Sequence, residues 1–319
     1  MKKYSIQGHK DTRSGFGDGL AEIAKTNPNV VAMCADLTGS VKFDKFQKEN
    51  PERFFQAGIA EANMIDVAAG LATAGKVPFV GTFAAFATGR VYDQIRQCLA
   101  YTKSNVTVCA SHAGITLGED GATHQIMEDL GLMKMLPNMT VINPADYNQT
   151  KAAVHALEKH VGPAYLRFGR PVEPMFTCPD EDLVIGKAVQ WSEGNDVTII
   201  ATGHLLYRAV KATEELIEAG YTVDLINIHT IKPLDTEAIL TSIKKTKCCV
   251  VAEEHLCNGG LGDSVAQLFA KEYPAPIEYV SVDDKFGESG TPSQLMAKYG
   301  LETPNVVAAA KRAISRKTR

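Results

Sequence analysis

The sequence has no C-x-x-C pair, no strong excess of either charge and no long uninterrupted apolar run. Its seven cysteines, at positions 34, 98, 109, 178, 248, 249 and 257, are odd in number and sit mostly in apolar surroundings such as VVAMCADL and KCCVVAEE. Cysteine there behaves as a small hydrophobe, so buried, reduced thiols are expected. The formal net charge of −4 gives no electrostatic reason to expect nucleic acid or an anionic membrane as partner. No apolar segment approaches the ~18 residues of a membrane span. The opening MKKYSIQGHKDTRSG lacks the apolar stretch of a signal peptide, so the expected compartment is the cytoplasm. Internal repeats and low-complexity segments are also missing.

What is present is ordinary globular sequence, 45% hydrophobic and 22% charged. At 319 residues it exceeds what one core usually serves, and two domains are expected. Short β-branched runs at 30–37, 78–83, 106–111, 139–144 and 164–168 alternate with amphipathic stretches, notably 60–75, 90–101 and 146–160. Such alternation indicates βα units and a mainly parallel sheet buried on both faces. Residues 171–183, PVEPMFTCPDEDL, hold three prolines and look like a linker. The pattern then restarts, with strands at 197–203, 221–228, 247–255 and 277–284, helices at 205–219, 234–244 and 260–271, and a closing helix near 303–315. The expectation is two doubly wound α/β domains, 1–178 and a smaller 179–319. In open α/β sheets ligands gather beyond the carboxyl ends of strands, so polar residues following strands carry most weight.

Five stretches qualify. GDG at 17–19, with Asn50 further on, invites a metal- or phosphate-binding reading. That motif requires a buried strand before it, and KDTRSGF is not one, so a helix-entry turn is expected. In QAGIAEANMIDVAAGLATAG (56–75), Glu61 opens a helix too apolar to face water. Capping accounts for a carboxylate there, but a partly buried acid costs energy unless paired or working. Phe83 and Phe86 follow a strand where a planar ligand can stack between them, although core packing is the commoner fate of such a pair. HAGITLGEDGATHQ (112–125) places His112, Glu119, Asp120 and His124 around three glycines. No cysteine accompanies the histidines as a structural zinc would want, and the oxygens are too few for calcium. A loop presenting donors and an acceptor to a polyhydroxylated substrate remains, beside a plain solvated turn. Finally, Arg167 and Arg170 in YLRFGRPVEP, with Arg13 and Ser40, can form an anion pocket.

In order along the chain, GIAEANM, TFAAF, SHAGITLGEDGATHQ and LRFGRP resemble the second half of transketolase, and VAEEHLCNGGLGDSVAQ extends the resemblance through the second domain. The resemblance implies a pyrimidine-binding domain followed by a C-terminal domain, thiamine diphosphate as cofactor, and transfer of a two-carbon ketol unit from a phosphorylated ketose to an aldose. The family's amino-terminal half, which carries the diphosphate and the Mg2+ or Ca2+ ligands, has no counterpart here. A split transketolase is therefore implied, with a separate N-terminal subunit supplying that half, an α2β2 assembly, an active site between subunits, and no metal ligand on this chain.

Residue by residue, Glu61 is similar to the glutamate that bonds N1′ of the aminopyrimidine. Phe83 and Phe86 match its aromatic walls, and Ile59 and Asp36 match other positions lining the cofactor. His124 matches the histidine near the reacting oxygen, and Asp120 the acid that binds the neighbouring hydroxyl. Arg13, Ser40, His112 and Arg170 match the distal phosphate site, which also suits a mimic such as a sulfonate. Two positions depart from the family: Ala62 stands where histidine often follows the glutamate, and Gly89 where many members have tyrosine. Arg167 has no firm counterpart. Alternative readings are a 1-deoxyxylulose-5-phosphate synthase-like enzyme, a 2-oxoacid dehydrogenase β-like subunit, or a non-catalytic regulatory partner.

Overall fold

A computed structural model of the chain describes residues 1–317. Its strands in the first half are β1 (His9–Asp11), β2 (Val30–Cys34), β3 (Phe54–Gln56), β4 (Val77–Phe83), β5 (Thr107–Ser111), β6 (Thr140–Ile142), β7 (Ala164–Arg167) and β8 (Val172–Pro174). Those of the second half are β9 (Val189–Ser192), β10 (Val197–Ala201), β11 (Val223–Asn227), β12 (Thr230–Lys232), β13 (Cys249–Leu256) and β14 (Ile277–Val282). Seven strands form one sheet in the order β12-β6-β7-β5-β4-β2-β3. It is parallel except at β12, an antiparallel edge strand donated by the second half. Five strands form the other sheet, β14-β13-β10-β11-β9, parallel except at β9. β1 and β8 make a separate antiparallel pair.

Every residue of β2, β5, β10 and β11 is buried, because helices cover both sheet faces. Continuous apolar runs, rather than alternation, are the sequence signature of that arrangement. The expected mixed α/β architecture with parallel sheets is what the chain adopts.

Four local expectations change. The first helix runs Thr12–Thr26, with Asp11 as its N-cap accepting from the Ser14 N–H at 3.0 Å. GDG therefore lies inside a helix, not at its entry. A Cβ at Gly15 would run into the Tyr147 carbonyl, and one at Gly17 would sit 2.7 Å from the Lys42 carbonyl oxygen. Close packing against the helix Tyr147–Glu158 at Gly15 and Gly19, and against Lys42 at Gly17, offsets the ~1 kcal/mol each interior glycine costs. The stretch 90–101 is not one regular helix: a 3₁₀ turn Gly89–Val91 and a short helix Tyr92–Gln94 lead into a π-helical segment Ile95–Tyr101. The proline-rich 171–183 contributes β8, so it is not purely a linker. All seven cysteines are free, but only Cys34, Cys109, Cys248 and Cys249 are buried; Cys178 is exposed.

A buried ion pair of the first half also reaches the second through its arginine. Arg167, at the end of β7, donates from Nε and Nη2 to Asp129 at 2.7 and 3.2 Å, and from Nη2 to the Glu254 carbonyl on β13 at 2.9 Å. Tyr165 Oη donates to the same Asp129 carboxylate at 2.6 Å. Burial alone would push that carboxyl up, yet the Arg167 guanidinium holds it below the usual carboxylate range. Arg167 is thus a structural residue, which accounts for its having no assigned role at the site.

Candidate active site

The carboxyl ends of β2, β3, β4, β5 and β7 deliver the candidate residues to one edge of the seven-stranded sheet. Gly58, with φ of 70°, turns the chain after β3, and the helix Glu61–Thr73 begins immediately beyond. Glu61 sits in its first turn, where the helix dipole favours a carboxylate, and is only 6% exposed. β4 ends in Phe83, and Phe86 lies in the short helix Ala84–Ala87 that follows. Their rings are roughly parallel, with centroids 5.9 Å apart.

From these rings contacts run both ways. Phe86 meets His124 edge-on at 5.5 Å between centroids, and Phe83 packs against His112 at 3.8 Å. On the far side of Phe86 lies Arg90, its guanidinium 3.9 Å from the ring centroid and its Nη1 donating to Glu61 Oε1 at 2.6 Å. A flat group bearing N–H donors therefore already fits in contact with both the Phe86 face and the Glu61 carboxylate. Arg90 escaped notice in the sequence because it reads as a surface residue of an amphipathic stretch. No helical spacing could have flagged it, since Thr88 breaks the helix between Phe86 and Arg90.

His112 directly follows β5 in a left-handed conformation, φ 59°, and is buried. Arg13 Nη1 lies 3.4 Å from its Nε2, and Ser111 Oγ 2.7 Å from its Nδ1. An arginine can only donate, so Nε2 accepts and Nδ1–H points to Ser111. Donation from Nε2 to an oxyanion would need the other tautomer, which the Ser111 hydroxyl can serve by turning. Arg13 also donates to the carbonyls of Ser40 at 3.0 Å and Arg170 at 3.3 Å. Arg170 in turn pairs with Glu119 at 2.9 Å and bonds the Leu117 carbonyl at 2.7 Å.

The structure thus brings Arg13, Glu61, Phe83, Phe86, His112, His124 and Arg170 into one string of contacts, with Ser40 joined through its backbone. Asp120 is exposed at the loop tip. Ile59 stands 79% exposed beside the string without joining it. Asp36, left-handed at φ 63°, donates its N–H to Gln56 Oε1 at 2.7 Å and lies at the same sheet edge. Among the described residues no cluster of three or more His, Cys, Asp or Glu side chains is arranged to hold a metal ion. No helix among them is long and apolar enough to cross a membrane.

Burial, reinforced by Arg13 and Arg170, pushes the His112 pKa down to about 3, and burial alone pushes His229 to about 4. The unfolded chain takes up these protons near pH 6.5, so stability is complete above that value and falls as pH drops below it. Each residue contributes up to about 1.4 kcal/mol per pH unit in that window. Thermal melts between pH 7 and 5, above the carboxylate range, should show a falling Tm, and His229→Asn should flatten the fall. A level Tm across the window would contradict this.

The folds and the site edge define a class, a pyrimidine-binding α/β domain joined to a C-terminal α/β domain. Residues 9–174 match the transketolase pyrimidine-binding domain, and residues 186–306 match the transketolase C-terminal domain. The chain belongs to the transketolase family. It is 43% identical to a putative transketolase C-terminal section of Methanocaldococcus jannaschii, over 93% of this chain and 94% of that protein. It is 41% identical to a 6-deoxy-6-sulfo-D-fructose transketolase subunit of a Clostridium species, over 96% and 95% respectively. Identity to human transketolase is 33% over 99% of this chain but only 51% of the human protein. A solved chain named split gene transketolase, inactive beta4 tetramer, superposes with a TM-score of 0.91 at 44% identity, covering 96% of this chain and 99% of that one.

Proposed function

We propose that this chain is the C-terminal subunit of a split, thiamine-diphosphate-dependent transketolase that moves a two-carbon ketol unit from a phosphorylated ketose to an aldose. A separate N-terminal subunit brings the diphosphate site and the Mg2+ or Ca2+ ligands, in an α2β2 assembly working in the cytoplasm. The observation that carries the reading is the string of contacts from Glu61 through Phe86 and Phe83 to the histidines and Arg13. The near-full-length match to relatives named as a C-terminal section and a subunit supports the split.

When bound, thiamine diphosphate supplies the nucleophilic carbon and the electron sink that transketolase chemistry needs. A carboxylate at one edge and an aromatic face beside it already accommodate a planar N–H-bearing group, the Arg90 guanidinium, and an aminopyrimidine has the same planarity and donors, which supports the fit. Glu61 would hydrogen-bond a nitrogen of the bound ring and could give or take a proton there. Phe83 and Phe86 wall the ring, with Ile59 and Asp36 at the margin of its slot. His124 donates to the oxygen that gains charge on the substrate, where a preplaced donor helps most. Asp120 accepts from the adjacent hydroxyl. Arg13, Ser40, His112 and Arg170 hold the terminal anion. Relatives named for a sulfosugar and for apulose 4-phosphate support an anionic end on the substrate.

The test is reconstitution with a chain carrying the diphosphate- and metal-binding half. Neither chain alone should transfer ketol units, and the mixture should; full turnover by this chain alone would sink the split. In the mixture, Arg13→Ala or Arg170→Ala should raise KM for an anion-tipped ketose by roughly 10–100-fold, the worth of a charged hydrogen bond, with little change for a neutral ketose. Equal losses on both substrates would remove the anion pocket.

A further inference from the structure

The loop 112–125 owes its shape to the C-terminal half of the chain. Its corners are glycines in left-handed conformations, Gly114, Gly118 and Gly121, at φ of 82°, 95° and 74°. At its base, Glu254 on β13 accepts from the Thr116 N–H at 2.8 Å, and Gly114 packs so closely on that carboxylate that no Cβ would fit. At its far end lies Gln125, buried at 7% exposure. Its amide nitrogen donates to Ile115 O at 3.0 Å, Gly118 O at 3.3 Å and Glu288 O at 3.0 Å, so one side chain staples both arms of the loop to the second domain. Its Oε1 is buried without a hydrogen-bond partner and abuts Gly287.

The segment it grips is itself fixed. Tyr299 Oη donates to Phe286 O and Glu288 Oε1, both at 3.1 Å, and Lys298 pairs with Glu288 at 2.6 Å. Thr291 and Gln294 close a capping box on the next helix, Pro292–Lys298. Against this block, a Cβ at Gly121 would stand 2.6 Å from Ser289 Oγ, and one at Gly118 would stand 3.3 Å from Pro292. The glycines let the loop lie flat on the block, and Gln125 latches it there.

We infer that Gln125 is a positioning residue: by latching the loop to residues 286–292, it holds His124 and Asp120 where substrate meets them, and the C-terminal domain thereby takes part in sugar binding. The inference rests on the reading of this loop as the sugar-binding loop. The other contacts of these two residues are local: the His124 imidazole lies 2.9 Å from its neighbour Thr123 and edge-on to Phe86, its backbone N–H donates to Gly121 O at 3.0 Å within the loop, and Asp120 is exposed, so Gln125 is what ties them to the second domain. A loop ordered before substrate arrives leaves less conformational freedom to be lost on binding.

Two variants open the latch from opposite sides. Gln125→Met keeps the length and loses the donors; Gly287→Ala leaves the loop sequence intact but drives a methyl into the Gln125 amide. Hydrogen exchange on the full chain should show amides 112–124 exchanging at least tenfold faster in both, with β2, β4 and β5 unchanged. In the reconstituted enzyme, KM for the ketose should rise about tenfold while thiamine diphosphate Kd stays within twofold. Unchanged loop exchange, faster exchange without a KM change, or an equal loss of cofactor affinity would each overturn the inference. A wild-type complex without ketol transfer would instead sink the functional reading, and the exchange data would still decide whether Gln125 holds the loop.

Discussion

Glu61→Gln in the reconstituted enzyme should slow exchange of the thiazolium C2 proton by roughly 10²–10⁴-fold, the span of a lost general acid–base contribution. The substitution preserves volume and planarity, so the helix Glu61–Thr73 and the stacking of Phe83 and Phe86 should persist. What it removes is the one group in the slot able to trade a proton with a ring nitrogen. Glu61 is suited to that exchange: it is almost fully buried, stands at a helix N-terminus, and faces an N–H-bearing planar group beside Phe86. Exchange followed by proton NMR after a deuterium quench reads the step without any sugar present. A wild-type rate in the variant would take Glu61 out of its proposed role.

Asp129→Ala should cost roughly 3–5 kcal/mol, because it strands a guanidinium that has no water to fall back on. Arg167 is 3% exposed and Asp129 fully buried, so the remaining charge cannot relax outward. The loss should appear as a fall in Tm on the order of 10 °C. Replacing both partners, Asp129→Leu with Arg167→Met, should recover much of it, since a well-packed apolar pair avoids the desolvation cost. If the single variant melted like wild type, Asp129 would not be what keeps the Arg167 charge tolerable between β7 and β13.

The long elements of the fold were legible because buried parallel strands leave continuous apolar runs in sequence. β3, β9 and β12 were not, because they are edge strands whose short, partly polar or exposed segments leave no apolar run as the equally short but buried β6 and β7 do. The GDG stretch misled for a related reason. Glycine signals a turn locally, and only the close approach of Lys42 to Gly17 and of Val154 and Lys151 to Gly19 shows that the stretch serves helix packing. At the site, residues just beyond strand ends stood out because topology brings those ends together. Arg90, Ser111 and Gln125 did not, since their roles depend on partners that local sequence cannot bring near. Arg167 shows the converse: it follows the same rule of position, yet its partner Asp129, invisible at a separation of 38 residues, makes it part of the framework.

The antiparallel strand Thr230–Lys232 closes the edge that Thr140–Ile142 would otherwise present to solvent. An open edge of that kind recruits other chains. The pyrimidine-binding half is therefore finished by a ribbon of chain that arrives only after the whole of β11 has been laid down. On the ribosome, the first half must wait some sixty residues past its own last strand for its sheet to be sealed. A cut between the two halves would therefore leave an adhesive fragment rather than a spare domain.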